Sequence, residues 1–173
     1  MQRTRKFLSV ILAVMMVISA FPITASALTS GDWTYTVISE ADQTAQITGY
    51  TGTETELKIP SIIDGYTITS IGNNAFRDNT TITSAVIPEG VTTLGRYMFY
   101  GCKALECVDI PEGVKIISYA AFMMSALTSI SIPVSVTKID DYAFEYCSKL
   151  DIIFYAGTKE QWNSITVVGD FSQ

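Results

Sequence analysis

The sequence predicts a right-handed, β-rich solenoid, a stack of about four coils of 22 to 23 residues each. Three observations carry this reading. A phenylalanine closes a recurring segment in Ile71-Gly72-Asn73-Asn74-Ala75-Phe76, Leu94-Gly95-Arg96-Tyr97-Met98-Phe99, Ile117-Ser118-Tyr119-Ala120-Ala121-Phe122 and Ile139-Asp140-Asp141-Tyr142-Ala143-Phe144. A proline turn keeps step in Ile87-Pro88-Glu89-Gly90-Val91, Ile110-Pro111-Glu112-Gly113-Val114 and Ile132-Pro133-Val134-Ser135-Val136, with a divergent first copy at Ile59-Pro60. A third landmark is Ile82, Leu105, Leu127 and Leu150. Three landmarks in register over four copies do not arise from composition bias. The period is too short for a helical hairpin repeat or a propeller blade and fits one strand-bearing coil stacked on the next.

The first segment stands apart from the repeats. Arg3, Arg5 and Lys6 precede an uncharged apolar run from Phe7 to Phe21, and Pro22 leads into Ala25-Ser26-Ala27. These are the three parts of a secretory signal, and cleavage is expected after Ala27. The run is shorter than the roughly 20 residues that span a bilayer, which argues against the alternative of a retained anchor. Loss of the leader leaves 8 basic against 17 acidic residues, a net charge of −9. A chain of that sign gains nothing from counterion release on nucleic acid and is repelled by anionic lipid.

Each coil follows from its residue pattern. In Leu105-Glu106-Cys107-Val108-Asp109-Ile110, the apolar side chains of Val108 and Ile110 alternate as a strand requires, and Pro111 removes the donor that would extend the ladder. The Glu112-Gly113 pair turns the chain, Val114 and Ile117 start a second extended stretch, and Ala120-Ala121-Phe122 form a tight corner before Leu127 returns to the first strand. Stacking repeats this about every 4.8 Å, so that the four phenylalanines form an aromatic ladder and Ile71, Leu94, Ile117 and Ile139 an aliphatic one. No coil buries its own ring, so stability comes from neighbours and the ends need caps. The residue before the phenylalanine is alanine except at Met98, where a local distortion is expected.

The pattern Ile-Pro-x-x-Val-x-x-Ile-x-x-x-Ala-Phe-x-x-Cys-x-x-Leu-x-x-Val resembles the BspA-type leucine-rich repeat of bacterial surface and secreted proteins. The resemblance extends over about residues 32–165. It implies an α/β leucine-rich repeat class of fold, with residues 28–58 as an N-terminal capping coil, 59–151 as repeats and 152–173 as a C-terminal capping segment. Trp33-Thr34-Tyr35-Thr36-Val37 and Ala45-Gln46-Ile47-Thr48-Gly49-Tyr50 are similar to the family's leading coil, and Ile152 to Asn163 to its closing segment. Thr158 and Gln161 have capping-box spacing, and Trp162 with Ile165 gives a one-turn helix an apolar face. The departures are a first unit lengthened at Tyr66 to Thr69 and a residue missing near Met124.

The absence of histidine removes histidine-dependent triads, histidine general bases and imidazole zinc sites. No enzyme activity, cofactor or metal is expected. Cys102 and Cys147 lie two rungs apart, roughly 10 Å, beyond the 7 Å limit for a disulfide, and read as small buried corner residues. Cys107 faces outward on the strand, either as a free thiol or as the site of an intermolecular bridge. Asp140, Asp141 and Glu145 lack the spacing of a calcium loop and read as solvated surface. Tyr97, Tyr100, Tyr119, Tyr142 and Tyr146 cluster near the phenylalanine corners, where they shield the turns; an exposed row would favour ligand stacking.

The candidate binding surface is the outward face of the first strand: Thr83 and Ser84, then Glu106, Cys107 and Asp109, then Thr128, Ser129 and Ser131, then Asp151, Ile152 and Phe154. Solenoids present regular side-chain arrays on such sheets. The alternative is a merely solvated sheet, rich in threonine because β-branched residues suit strands. The resemblance implies a secreted or cell-surface, monomeric, noncatalytic protein that binds host, matrix or other surface protein, or glycan, in adhesion. Alternatives are a targeting or spacer module of an exported enzyme acting on glycan or peptide, and a structural envelope component.

Overall fold

The computed structural model describes residues 26–169, so all of the expected leader but Ser26 and Ala27 lies outside the described residues. The chain opens with an antiparallel arrangement, β1 (Leu28–Ser30), β2 (Trp33–Ser39) and β3 (Thr44–Tyr50), in which Tyr35, Ala45 and Ile47 turn inward. From there the chain coils. One side of the stack is a five-stranded parallel sheet of β4 (Glu56–Lys58), β7 (Ser84–Val86), β9 (Cys107–Asp109), β11 (Ser129–Ile132) and β13 (Ile152–Tyr155), in that spatial order. The first four of these strands stop just before a proline, Pro60, Pro88, Pro111 and Pro133, as the missing donor dictates, whereas β13 runs into Ala156-Gly157.

The other side is made of two-residue strands and one longer strand. β6 (Tyr66–Ile71) lies parallel to β3 and to β8 (Thr93–Leu94), while β10 (Ile116–Ile117), β12 (Lys138–Ile139) and β14 (Thr166–Val167) form a second parallel piece. The aliphatic ladder therefore gains a member at each end: Ile47 pairs with Ile71, and Val167 with Ile139.

The phenylalanine ladder forms as the period requires. Phe76, Phe99, Phe122 and Phe144 stack with centroids 4.8, 6.0 and 5.5 Å apart and planes within 14°. At the N-terminal end, Trp33 and Tyr50 close the ladder, 6.3 and 6.4 Å from the Phe76 ring, so the leading hairpin supplies the aromatic surface that a terminal coil lacks. The distortion expected at Met98 does not occur in the backbone. Phe76 N–H donates to the Met98 carbonyl at 3.0 Å, as Phe99 and Phe122 donate to Ala121 and Ala143 at 2.7 and 2.9 Å. Met98 is fully buried, and its unbranched side chain is accommodated without breaking the corner.

The lengthened first unit has a local cause. β5 (Ile62–Ile63) turns back on β6 through Asp64 (φ 49°) and Gly65 (φ 89°), a two-residue hairpin for which Asp-Gly is suited because both positions need positive φ. The Asp64 carboxylate accepts hydrogen bonds from the Tyr35 hydroxyl and the Ser30 hydroxyl, both at 2.9 Å, and so ties the insertion to the opening strands. The closing helix α1 (Lys159–Asn163) carries the capping box expected of Thr158 and Gln161. Trp162 packs edge-on to Tyr155 at 5.3 Å and Ile165 is buried beneath the turn that leads into β14.

Candidate functional site

The parallel sheet aligns its outward side chains into two rows. Register pairs Glu56 with Ser84, Ser84 with Cys107 and Ser129 with Ile152; the second row runs Lys58, Val86, Asp109, Ser131 and Phe154. Inward between them lie Leu57, Ala85, Val108 and Ile130, all buried. The period of two thus puts the predicted Ser84, Cys107, Asp109, Ser129, Ser131, Ile152 and Phe154 on one surface. Glu106, Thr83, Thr128 and Asp151 form a third row at the corner where each coil enters its strand.

The corner row is largely structural. The backbone N–H groups of Thr83, Glu106, Thr128 and Asp151 each donate to the preceding rung, and the hydroxyls of Thr83 and Thr128 donate to the carbonyls of Thr55 (3.0 Å) and Glu106 (3.2 Å). Those two hydroxyls commit their protons to the strand ends and face a ligand only as acceptors. Glu106 remains exposed and with Asp109 makes the central strand of the face acidic, while Glu56 shares the edge strand β4 with Lys58 and Asp151 stands at the entry to the opposite edge strand. At the other edge the face is apolar: Ile152 is 45% exposed and Phe154 56%. Ser131 and Phe154 border a groove of about 330 Å³ with Glu89, Glu112 and Pro133. Glu112 is committed elsewhere, because its carboxylate accepts from the backbone N–H groups of Val134 and Ser135 at 3.2 Å.

Cys107 is exposed and unbridged. Partial burial, followed by the charges of Asp109, Glu106 and Glu56, pushes its thiol above the usual range, so this cysteine is a poor nucleophile at neutral pH. Cys102 and Cys147 are buried and donate to the carbonyls of Phe76 and Phe122 at 3.1 and 3.0 Å. Burial pushes Cys102 up to about 12. In the rung between them the same corner position is Ser125, whose hydroxyl meets the Cys147 sulfur at 3.3 Å. Among the described residues no group of three or more His, Cys, Asp or Glu side chains is placed to hold a metal ion. Asp140 instead pairs with the Lys138 ammonium at 2.5 Å.

Two features of the face were not found from sequence. Val86, 43% exposed, follows Ser84 by two and lies in the second row, as strict alternation would have indicated. Glu56 and Lys58 of β4 form a rung within the segment read as the N-terminal cap. The hairpin insertion hides it, since 28 residues separate Thr55 from its partner Thr83 whereas 23 separate Ser84 from Cys107.

Comparison with known proteins bears on the repeat itself. Six copies of the BspA type leucine rich repeat region match residues 53–166, a span that takes in β4 and β13. The chain belongs to the BspA-type leucine-rich repeat family. A leucine-rich repeat protein from Bacteroides capillosus has 31% sequence identity, with 76% of this chain and 99% of that one covered and a TM-score of 0.67. More distant likenesses show the fold alone. They include a leucine rich cell surface protein from Faecalibacterium prausnitzii (23% identity, 82% of this chain, TM-score 0.62) and the pneumococcal vaccine antigen PcpA (18% identity, 84% of this chain, TM-score 0.68). The chain spans 42% and 46% of the lengths of those two proteins. A search of the curated proteins finds no match.

Proposed function

We propose that this BspA-type chain is an exported, noncatalytic binding module that acts at a bacterial surface in adhesion, engaging a host or matrix protein through the outward face of β4, β7, β9, β11 and β13. The observation that carries the reading is the in-register pair of rows, acidic in the middle and ending in the exposed side chains of Ile152 and Phe154. An apolar patch with a polar rim is the composition of a protein contact, in which the aromatic side chain anchors and the charges set orientation and association rate. The Faecalibacterium relative is a cell surface protein, which supports the location.

The test is capture of purified matrix proteins by the immobilised chain, with and without Glu106→Ala, Asp109→Ala and Phe154→Ala combined. Loss of capture in the triple variant is expected; equal capture removes this face as the site. Loss of the anchor alone should raise the dissociation rate, whereas loss of the two acids should chiefly weaken the salt dependence.

A further inference from the structure

We propose that the tyrosine-lined corner of the solenoid is a second binding site, and that it takes a neutral oligosaccharide. The site is independent of the strand face. It is a groove of about 530 Å³, within the roughly 300–1,000 Å³ range of small-molecule sites. Tyr97, Tyr119 and Tyr142 cross three successive rungs with ring centroids 5.4 Å apart at each step and planes at 72° and 90°. Tyr100 stands edge-on to Tyr97 at 5.8 Å, and Tyr146 borders the far end.

The fold does not require these rings. Two positions in each corner have positive φ: Asn74, Tyr97, Ala120 and Tyr142 two residues before the phenylalanine, and Asp78, Gly101, Met124 and Tyr146 two residues after it. Asparagine, aspartate and glycine suit that conformation, and alanine fills it in one rung, so a bulky ring there carries strain that the stack does not demand. Burial does not repay it at Tyr142 and Tyr146, which are 48% and 58% exposed. The expectation that all five tyrosines shield the turns therefore fits only the half-buried Tyr97, Tyr100 and Tyr119.

Charge selects the ligand class. The Arg77 guanidinium already lies over the Tyr100 and Tyr97 rings at 4.5 and 5.6 Å and pairs with Asp78 at 3.3 Å, so the cation position on those rings is filled from within the chain. Glu145 borders the groove and the chain is acidic as a whole, which opposes an anion. A neutral sugar meets both halves of what remains. Its C–H faces pack on exposed rings, and its hydroxyls find phenol oxygens, the Glu145 carboxylate and the outer N–H groups of Arg77.

The experiment is calorimetric titration of the full chain with cellohexaose, maltohexaose and chitohexaose, with a proline-rich peptide and tetramethylammonium as the competing chemistries. Saturable binding of at least one hexasaccharide is expected, and neither competitor should bind. Tyr142→Gly and Tyr146→Gly should each weaken binding about tenfold, the scale of one lost aromatic contact, while the melting temperature holds because glycine relieves positive φ. Tyr142→Phe should retain most of the affinity, and Phe154→Ala should leave it unchanged. Failure of all three sugars to bind, binding of the peptide or tetramethylammonium in their place, or full affinity in Tyr142→Gly would overturn the proposal.

Discussion

Replacing Phe99 by alanine tests the column on which the solenoid rests. Phe99 is fully buried and stacks on Phe76 at 4.8 Å and on Phe122 at 6.0 Å. A buried aromatic ring removes about 150–250 Å² from water, worth about 4–6 kcal/mol at 25 cal/mol/Å². The extended-chain reference inflates that figure by roughly 10–40%, and the expected loss is about 3–5 kcal/mol, the range of other Phe→Ala core changes. That is a large part of the stability of a domain this size, about 5–15 kcal/mol. Urea unfolding followed by circular dichroism reads the loss directly. A double-mutant cycle with Phe122→Ala should give a coupling of about 0.5–1.5 kcal/mol, because the two rings touch. A loss under about 1 kcal/mol, or additive effects within about 0.3 kcal/mol, would show that the rings fill space without the rungs depending on one another.

Other expectations follow from the same geometry. Cys102→Ser should cost about 1 kcal/mol or less in thermal melting, because Ser125 already occupies the equivalent buried corner and a hydroxyl can keep the bond to the Phe76 carbonyl. In native protein at pH 8, a thiol reagent should modify Cys107 alone and slowly, with a rate that rises as pH passes 9, and unfolding should expose the other two cysteines. The folded-state pKa of Cys102 is raised from 9.0 to about 12, so its contribution to stability is whole below pH 9 and is lost as pH climbs toward 12; melting temperature measured across that window should fall. Thr158→Ala removes the capping hydroxyl of α1 and should cost about 1 kcal/mol, seen as faster hydrogen exchange at Gln161 with the repeat amides unaffected.

The repeats were legible because a 22 to 23 residue period places like residues over like, so one reading of Leu105 to Phe122 describes every rung. The strand face was legible for the same reason, since alternation within Cys107–Asp109 fixes which side chains point outward. Apart from Val86, which alternation alone places outward, what escaped depended on irregular units. The Asp64-Gly65 hairpin breaks the count and conceals β4, and with it Glu56 and Lys58. Met98 read as a misfit because its neighbours in the column are alanines, yet the corner receives it with its hydrogen bond intact.

By itself the sequence determined the period, the landmarks and so the columns, because in a stack the neighbour of each residue is its own repeat. Only the tertiary structure decided how the N-terminal end is closed and which corner side chains remain outside. Trp33 and Tyr50 close the phenylalanine ladder from a hairpin that carries no repeat signature. Tyr97, Tyr119 and Tyr142 occupy unlike positions in their units, with Tyr119 three residues before its phenylalanine and the others two, and they meet only because stacking brings different points of adjacent corners together. A one-dimensional count compares like with like; contact across a corner is set by the path of the backbone in space.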